Sequence, residues 1–200
     1  MTQVMNETPV ALLIIDVIND FKFEEAPLLL KTAEPIAEKI VNLKKQAKAA
    51  GIPVIYVNDN FGRWQSDKQK LVEYCAQQAG SKFVTKLQPE DDDYFVIKPK
   101  HSGFFSTPLS TLLNELNIQT LIICGVAGNI CVLFTANDAY MRGFTLYVPS
   151  DCCASNIEED NKRALLLMEK TLDACIRPSH ELHLESIIQQ ANKNKQRMMY

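Results

Sequence analysis

The 200 residues are 46% hydrophobic and 22% charged with a formal net charge of −3, which suits one ordinary globular α/β domain. The small acidic surplus argues against a nucleic-acid partner, which demands a basic excess. The apolar runs VALLII and TLIIC are far too short to cross a bilayer, so no membrane partner is expected.

The opening MTQVMNETPV has neither the basic stretch nor the apolar core of a secretory leader. The six cysteines, at 75, 124, 131, 152, 153 and 175, form no CxxC pair and no regular framework. Free thiols and a cytoplasmic location are the expectation. Residues 10–16 (VALLIID) form an apolar run ending in a carboxylate, the pattern of a strand buried on both faces. Residues 32–50 place apolar side chains at helical spacing, then Gly51 and Pro53 as a stop.

A strand is expected over 54–58, and a helical piece over 67–78. A further strand follows at 94–98, a helix at 108–116 and a strand at 120–125. The alternation continues with a helix at 129–141, a strand at 145–149 and a helix at 158–172. A short strand at 174–177 and a helix at 181–192 close the chain, with Lys193, Lys195 and Arg197 read as a tail. Alternating strands and helices imply right-handed crossovers and a parallel sheet covered on both faces. Residues 1–200 thus read as a single domain. The stretch 59–93, polar and aromatic at its flanks, stands out as a lid or pocket-forming excursion, or else a surface insertion packed down by Phe61 and Trp64.

Ligands of open α/β sheets sit beyond the carboxyl ends of the strands. Three reactive side chains fall there: Asp16 after the first strand, Lys98 at the end of the third, and Cys131 beyond the fourth, across the turn GVAGNI. Separately each has a plain reading, as a loop carboxylate, a solvated strand end and a core thiol. Together they supply a nucleophile, a base and a cation, the minimal set for acyl transfer by a thiol. A helix N-terminus and Lys98 are expected to favour the Cys131 thiolate. Gly125 and Gly128 let backbone amides turn toward an oxyanion. Cys124 lies inside a buried strand and reads as core, and Cys152 and Cys153 as packing near a strand end.

At these residues the chain resembles the isochorismatase-like cysteine hydrolases, which include nicotinamidases, N-carbamoylsarcosine amidohydrolases, ureidoacrylate-type amidohydrolases and isochorismatases. ALLIIDVINDF resembles the family's first-strand block, with its catalytic aspartate at Asp16. VIKPKHSGFFSTPL resembles the block led by the catalytic lysine, here Lys98, and LIICGVAGNICV the nucleophile block, with Cys131. The resemblance implies a three-layer α/β/α fold with a six-stranded parallel sheet, and a homo-oligomer (dimer or tetramer). It also implies a cis peptide between Val126 and Ala127, and an oxyanion hole formed by the N–H groups of Ala127 and Cys131.

Nicotinamidases carry a metal-binding Asp-x-His pair after the second strand. Here that stretch reads NDNFGRWQ, with Asp59 present but Phe61 in the histidine's place. The only histidines are His101, His180 and His183, none at the required spacing, so neither a metal nor another cofactor is expected. The reaction implied is hydrolysis of a C–N bond in a small-molecule amide, carbamoyl or ureido substrate through a Cys131 thioester. Phe21, Phe61, Trp64, Phe104 and Phe105 are the candidate pocket walls. The alternative within the family is vinyl-ether hydrolysis of the isochorismatase type, in which Asp16 supplies the proton without covalent cysteine catalysis. A redox-sensing or binding protein using the same thiol is the alternative from another class. A dinucleotide-binding protein is disfavoured, because DVINDF follows the first strand with no GxGxxG turn.

Overall fold

The computed structural model describes residues 8–62 and 67–198. Six parallel strands form one sheet: β1 (Val10–Ile15), β2 (Val54–Asp59), β3 (Tyr94–Lys98), β4 (Thr120–Val126), β5 (Thr145–Tyr147) and β6 (Cys153–Ala154). Their order is β3-β2-β1-β4-β5, with β6 also paired to β4. The fold is thus the α/β arrangement expected, with helices covering both sides. Every residue of β1 is fully buried, as the unbroken apolar run demands of a strand flanked by β2 and β4.

Helix α1 (Ala26–Ala49) buries Leu29, Ala33, Ala37, Ile40, Leu43 and Ala47 along one stripe, the period of an amphipathic helix. It starts six residues before the expected point, because Pro27 in its first turn begins a helix rather than interrupting a loop. It ends where Gly51 takes a φ of 71°. The remaining helices are α2 (Lys68–Cys75), α3 (Ser81–Lys86), α4 (Leu109–Glu115), α5 (Leu133–Met141), α6 (Glu158–Leu172) and α7 (Leu184–Met198). Among the described residues no helix is long and apolar enough to cross a membrane.

Three expectations are corrected. The stretch 174–177 is not a strand: only Cys175 bridges to Tyr147, exchanging backbone hydrogen bonds with Leu146 and Val148. The sixth strand is the two-residue β6, whose Cys153 and Ala154 pair with Gly125 and Val126. So short a segment gives no periodic signal. The excursion 59–93 holds two helices, α2 and α3, rather than one, and the closing helix runs to Met198 instead of fraying after residue 192.

The end of that excursion is tied to α1 by charge. Asp93, its carboxylate fully buried, lies 2.5 Å from Lys44 Nζ and 3.1 Å from Lys48 Nζ. Glu90 and Asp92 join them, at 3.1 Å from Lys44 and 2.6 Å from Lys48 respectively. Lys44 is itself buried and also donates to the Tyr56 hydroxyl at 3.2 Å. Removing one member of a buried pair leaves the other's desolvation uncompensated. Asp93→Ala is therefore expected to lower stability by about 3 kcal/mol, read as a lower urea midpoint at unchanged slope.

Candidate functional site

The strand order places the site. The strand order reverses between β1 and β4, so their carboxyl ends flank the switch point at which open α/β sheets bind ligands. Asp16 follows β1 at a φ of 50°, a left-handed conformation that aspartate tolerates better than most residues. Past it the loop is shaped by its own polar side chains. Asn19 Oδ1 accepts from the Phe21 N–H at 2.8 Å and Asp20 Oδ1 from the Lys22 N–H at 3.1 Å. Buried Asn58 donates to the Ile18 carbonyl at 2.7 Å.

Lys98 ends β3 with no exposure to solvent. It stands two strands from Asp16, and its long side chain passes Asp59, its register partner on β2. Lys98 Nζ is 2.8 Å from Asp16 Oδ2, 3.5 Å from Cys131 Sγ and 3.8 Å from Asp59 Oδ2. The Asp59 N–H donates to Asp16 Oδ1 at 2.7 Å. The Asp16 carboxylate and the Cys131 thiol also act on each other electrostatically. Lys98 Nζ thus contacts both Asp16 and Cys131.

Cys131 sits in a single π turn, Gly128–Val132, that leads into α5, a local irregularity common at functional sites. The peptide bond between Val126 and Ala127 is cis. Gly125 has a φ of 121°, and a Cβ there would lie 2.1 Å from the Ile15 carbonyl oxygen. Only glycine lets the two strand ends close on each other. Gly128 is as crowded: a Cβ would meet Asn161 Oδ1 at 2.0 Å.

Behind this turn Asn161 accepts from the Ser155 hydroxyl and donates to the Cys153 carbonyl, both at 3.0 Å. Ser155 Oγ in turn accepts from the Asn129 N–H at 3.0 Å. On its other side Thr135 donates to the Cys131 carbonyl at 2.6 Å and accepts from the Gly103 N–H at 2.9 Å. Ser155, Asn161 and Thr135 had no signal in the sequence beyond being polar residues near apolar elements.

The electrostatics correct one expectation. The Cys131 thiol is pushed up, first by burial and next by the Asp16 carboxylate, against the opposing pull of Lys98. The expected resting thiolate is therefore a thiol. The lysine that was to stabilise it is already neutralised by Asp16. Burial likewise raises Asp16, with Lys98 and the hydrogen bonds from Cys131 and Asp59 working against it. For Lys98 burial pulls down, yet Asp16, Cys131 and Asp59 outweigh it and hold the ammonium protonated. At rest the sulfur thus keeps its proton beside Asp16, with the Lys98 ammonium alongside.

A cleft of about 430 Å³ opens over Asp16 and Asp59, with Asn19, Asp20, Lys22 and Phe61 among its walls. Cys131 does not line it. Asp16 is shared between the cleft and the buried cluster. Of the aromatic residues expected as walls, Phe61 is in place. Phe21 is not: it is buried with its ring edge-on to Phe83 at 6.0 Å and pressed on Gly80. Phe104 is buried between Phe144 and the guanidinium of Arg142, and Phe105 is 53% exposed, neither in the cleft. A turn of mixed aromatic and small residues does not reveal which ring faces inward. Trp64 lies outside the described residues. Phe23, also a wall, was not singled out from the sequence.

The donor set does not fit the metal that nicotinamidases hold. Asp59 is engaged by the Phe61 N–H at 2.8 Å and by Lys98, while His101 stacks on Phe134 at 5.6 Å. Among the described residues no group of three or more His, Cys, Asp or Glu side chains could hold a metal ion.

The strand order and layers agree with the fold of known proteins. The chain is 47% identical over 178 residues to the isochorismatase family protein YaaI of Bacillus subtilis, covering 89% of this chain and 98% of that one. Its fold matches the nicotinamidase of Staphylococcus aureus with a TM-score of 0.66 at 28% identity, over 85% of this chain and 99% of that one. It matches the N-carbamoylsarcosine amidase of Thermoplasma acidophilum with a TM-score of 0.66 at 25% identity, over 87% and 98%. The Isochorismatase domain model matches residues 10–178, and the chain belongs to the isochorismatase family of hydrolases.

Proposed function

We propose that this hydrolase cleaves the C–N bond of a small amide, carbamoyl or ureido compound through a thioester on Cys131. The observation that carries the reading is that Lys98 Nζ joins the other two groups, 3.5 Å from Cys131 Sγ and 2.8 Å from Asp16 Oδ2. The amidase and nicotinamidase folds among its likenesses support the same chemistry.

The protonated thiol defines the order of events. As Sγ attacks the substrate carbonyl, its proton passes to Asp16, whose pKa burial has raised toward that of a useful base. The S–C bond forms and negative charge gathers on the carbonyl oxygen, to be met by the N–H groups of Ala127 and Cys131. The C–N bond breaks as Asp16 returns the proton to the leaving nitrogen. Water then gives a proton to Asp16 and attacks the thioester, and the S–C bond breaks to release the acid as Asp16 hands that proton to sulfur and restores the thiol. Lys98 keeps Asp16 oriented and offsets its charge throughout.

A second reading draws on the raised pKa of Asp16. A carboxyl that retains its proton is equipped to protonate a vinyl ether, with Cys131 a bystander. The raised thiol weighs against the peroxide-sensing alternative, since oxidation follows thiolate character.

Two variants separate these readings. Cys131→Ser is expected to cost about a thousandfold or more in kcat on an amide substrate, with the urea midpoint little changed. Full activity in that variant on a vinyl-ether substrate would move the assignment to Asp16 alone. Lys98→Met keeps the volume and removes the charge that pulls the Asp16 pKa down, so that pKa must rise further. With Asp16 as the base, the acid limb of the kcat/KM profile shifts upward. With Asp16 as the proton donor, it is the alkaline limb that moves.

A further inference from the structure

Lys98 and Cys131 reach the site on separate segments of the chain. Lys98 ends β3, and the stretch 99–107 that follows it packs on α5. Cys131 lies in the turn that opens α5. Three consecutive residues of that stretch are gripped by α5 side chains. The Ser102 hydroxyl donates to Asp138 Oδ2 at 2.5 Å, and the Gly103 N–H donates to Thr135 Oγ1 at 2.9 Å. The Phe104 ring centroid lies 4.7 Å from the Arg142 guanidinium, which itself donates to Asp138 Oδ1 at 2.9 Å.

The grip through Thr135 continues to the nucleophile. Thr135 is fully buried, and its hydroxyl has a single proton. The Gly103 N–H can only donate, so that proton is committed to the Cys131 carbonyl at 2.6 Å. A threonine hydroxyl bonded to the carbonyl four residues back slightly destabilises an ordinary helix, so helix stability does not account for it. One oxygen thus joins the residue that carries the thiol to the stretch that runs on from Lys98. With the 3.5 Å contact of Lys98 Nζ and Cys131 Sγ it closes a ring, from Lys98 along the chain to Gly103, through Thr135 to Cys131 and back. Gly103 leaves little slack in that ring. A Cβ there would lie 3.0 Å from Val57 Cγ1, 3.2 Å from Leu109 Cδ2 and 3.4 Å from Thr135 Cγ2.

We infer that Thr135 is a positioning residue, which holds Cys131 at its distance from Lys98 through a hydroxyl shared with Gly103. The inference deepens the reading of Cys131 as nucleophile and rests on it. Asp16 and Lys98 are the charged groups that act on the sulfur, and of the two Lys98 favours the thiolate. A thiol that drifts from the ammonium therefore reacts more slowly.

Alkylation of the full chain by iodoacetamide tests this without a substrate, with each cysteine followed by peptide mass spectrometry at one fixed pH. Sulfur displaces iodide in that reaction, and the thiol proton leaves to solvent. Cys175, half-buried like Cys131, serves as the internal standard. Thr135→Val keeps the shape and loses the hydroxyl; it should alkylate Cys131 about tenfold more slowly at an unchanged Cys175 rate, and Thr135→Ser should restore the rate to within about threefold. Gly103→Ala crowds the stretch away from Thr135 with the hydroxyl intact, so it should slow Cys131 too, and adding Thr135→Val to it should cost little more. Should Thr135→Val show no cooperative urea transition, Gly103→Ala decides on its own. An unchanged or faster Cys131 rate in either variant, acceleration of Cys131 and Cys175 together, or a Thr135→Ser chain as slow as Thr135→Val overturns the assignment. Turnover of an amide is scored separately: hydrolysis that persists in Cys131→Ser defeats the thioester mechanism and leaves the alkylation rates to decide on Thr135.

Discussion

A lysine with no solvent exposure, 2.8 Å from an aspartate, is the interaction around which this molecule is arranged. Burying two charges costs several kcal/mol per ion, and apolar replacements of such pairs are often neutral or stabilising. Stability alone therefore does not account for Lys98 and Asp16. In the proposed mechanism their chemistry does: Asp16 is set beside a thiol, with Lys98 pulling down the pKa that burial raises. The parallel sheet makes the meeting possible. Asp16, Asp59 and Lys98 all end strands that point the same way, and Cys131 lies one turn past a fourth.

The turn that carries Cys131 is held by close approach rather than by a long helix. Gly125 admits the backbone of Ile15, and Gly128 admits the Asn161 side chain. Ser155 and Asn161 then tie the turn to β6 and α6. The two-residue β6 thus does more than complete the sheet, since it anchors the network that fixes the position of the thiol.

Much of this was legible in the sequence. Uninterrupted apolar runs marked β1 and β4, and Tyr94–Lys98 and Glu158–Leu172 fell within the observed bounds, because burial on both faces and a 3.6 period are one-dimensional signals. The residues at strand ends followed from topology. What stayed hidden depends on three-dimensional context. Phe21, Phe61, Phe104 and Phe105 are alike as letters, and only packing against Phe83, Phe144 or solvent separates wall from core. The Cys131 proton was misread for the same reason. A helix end and a lysine argue for thiolate, but the depth of burial and the nearness of Asp16 decide otherwise. Asp59 was weighed only as half of a missing metal pair, although its backbone N–H positions Asp16.

Lys98 belongs to β3, and β3 is the outermost strand of the sheet, paired only to β2. The acidic cluster that grips Lys44 and Lys48 ends at Asp93, immediately before that strand begins. Lys98 is therefore mounted on an edge strand, and a charged latch on α1 holds the chain just ahead of it. One latch thus serves two ends: it holds the fold together as a unit, and it fixes the start of the strand whose last residue is Lys98.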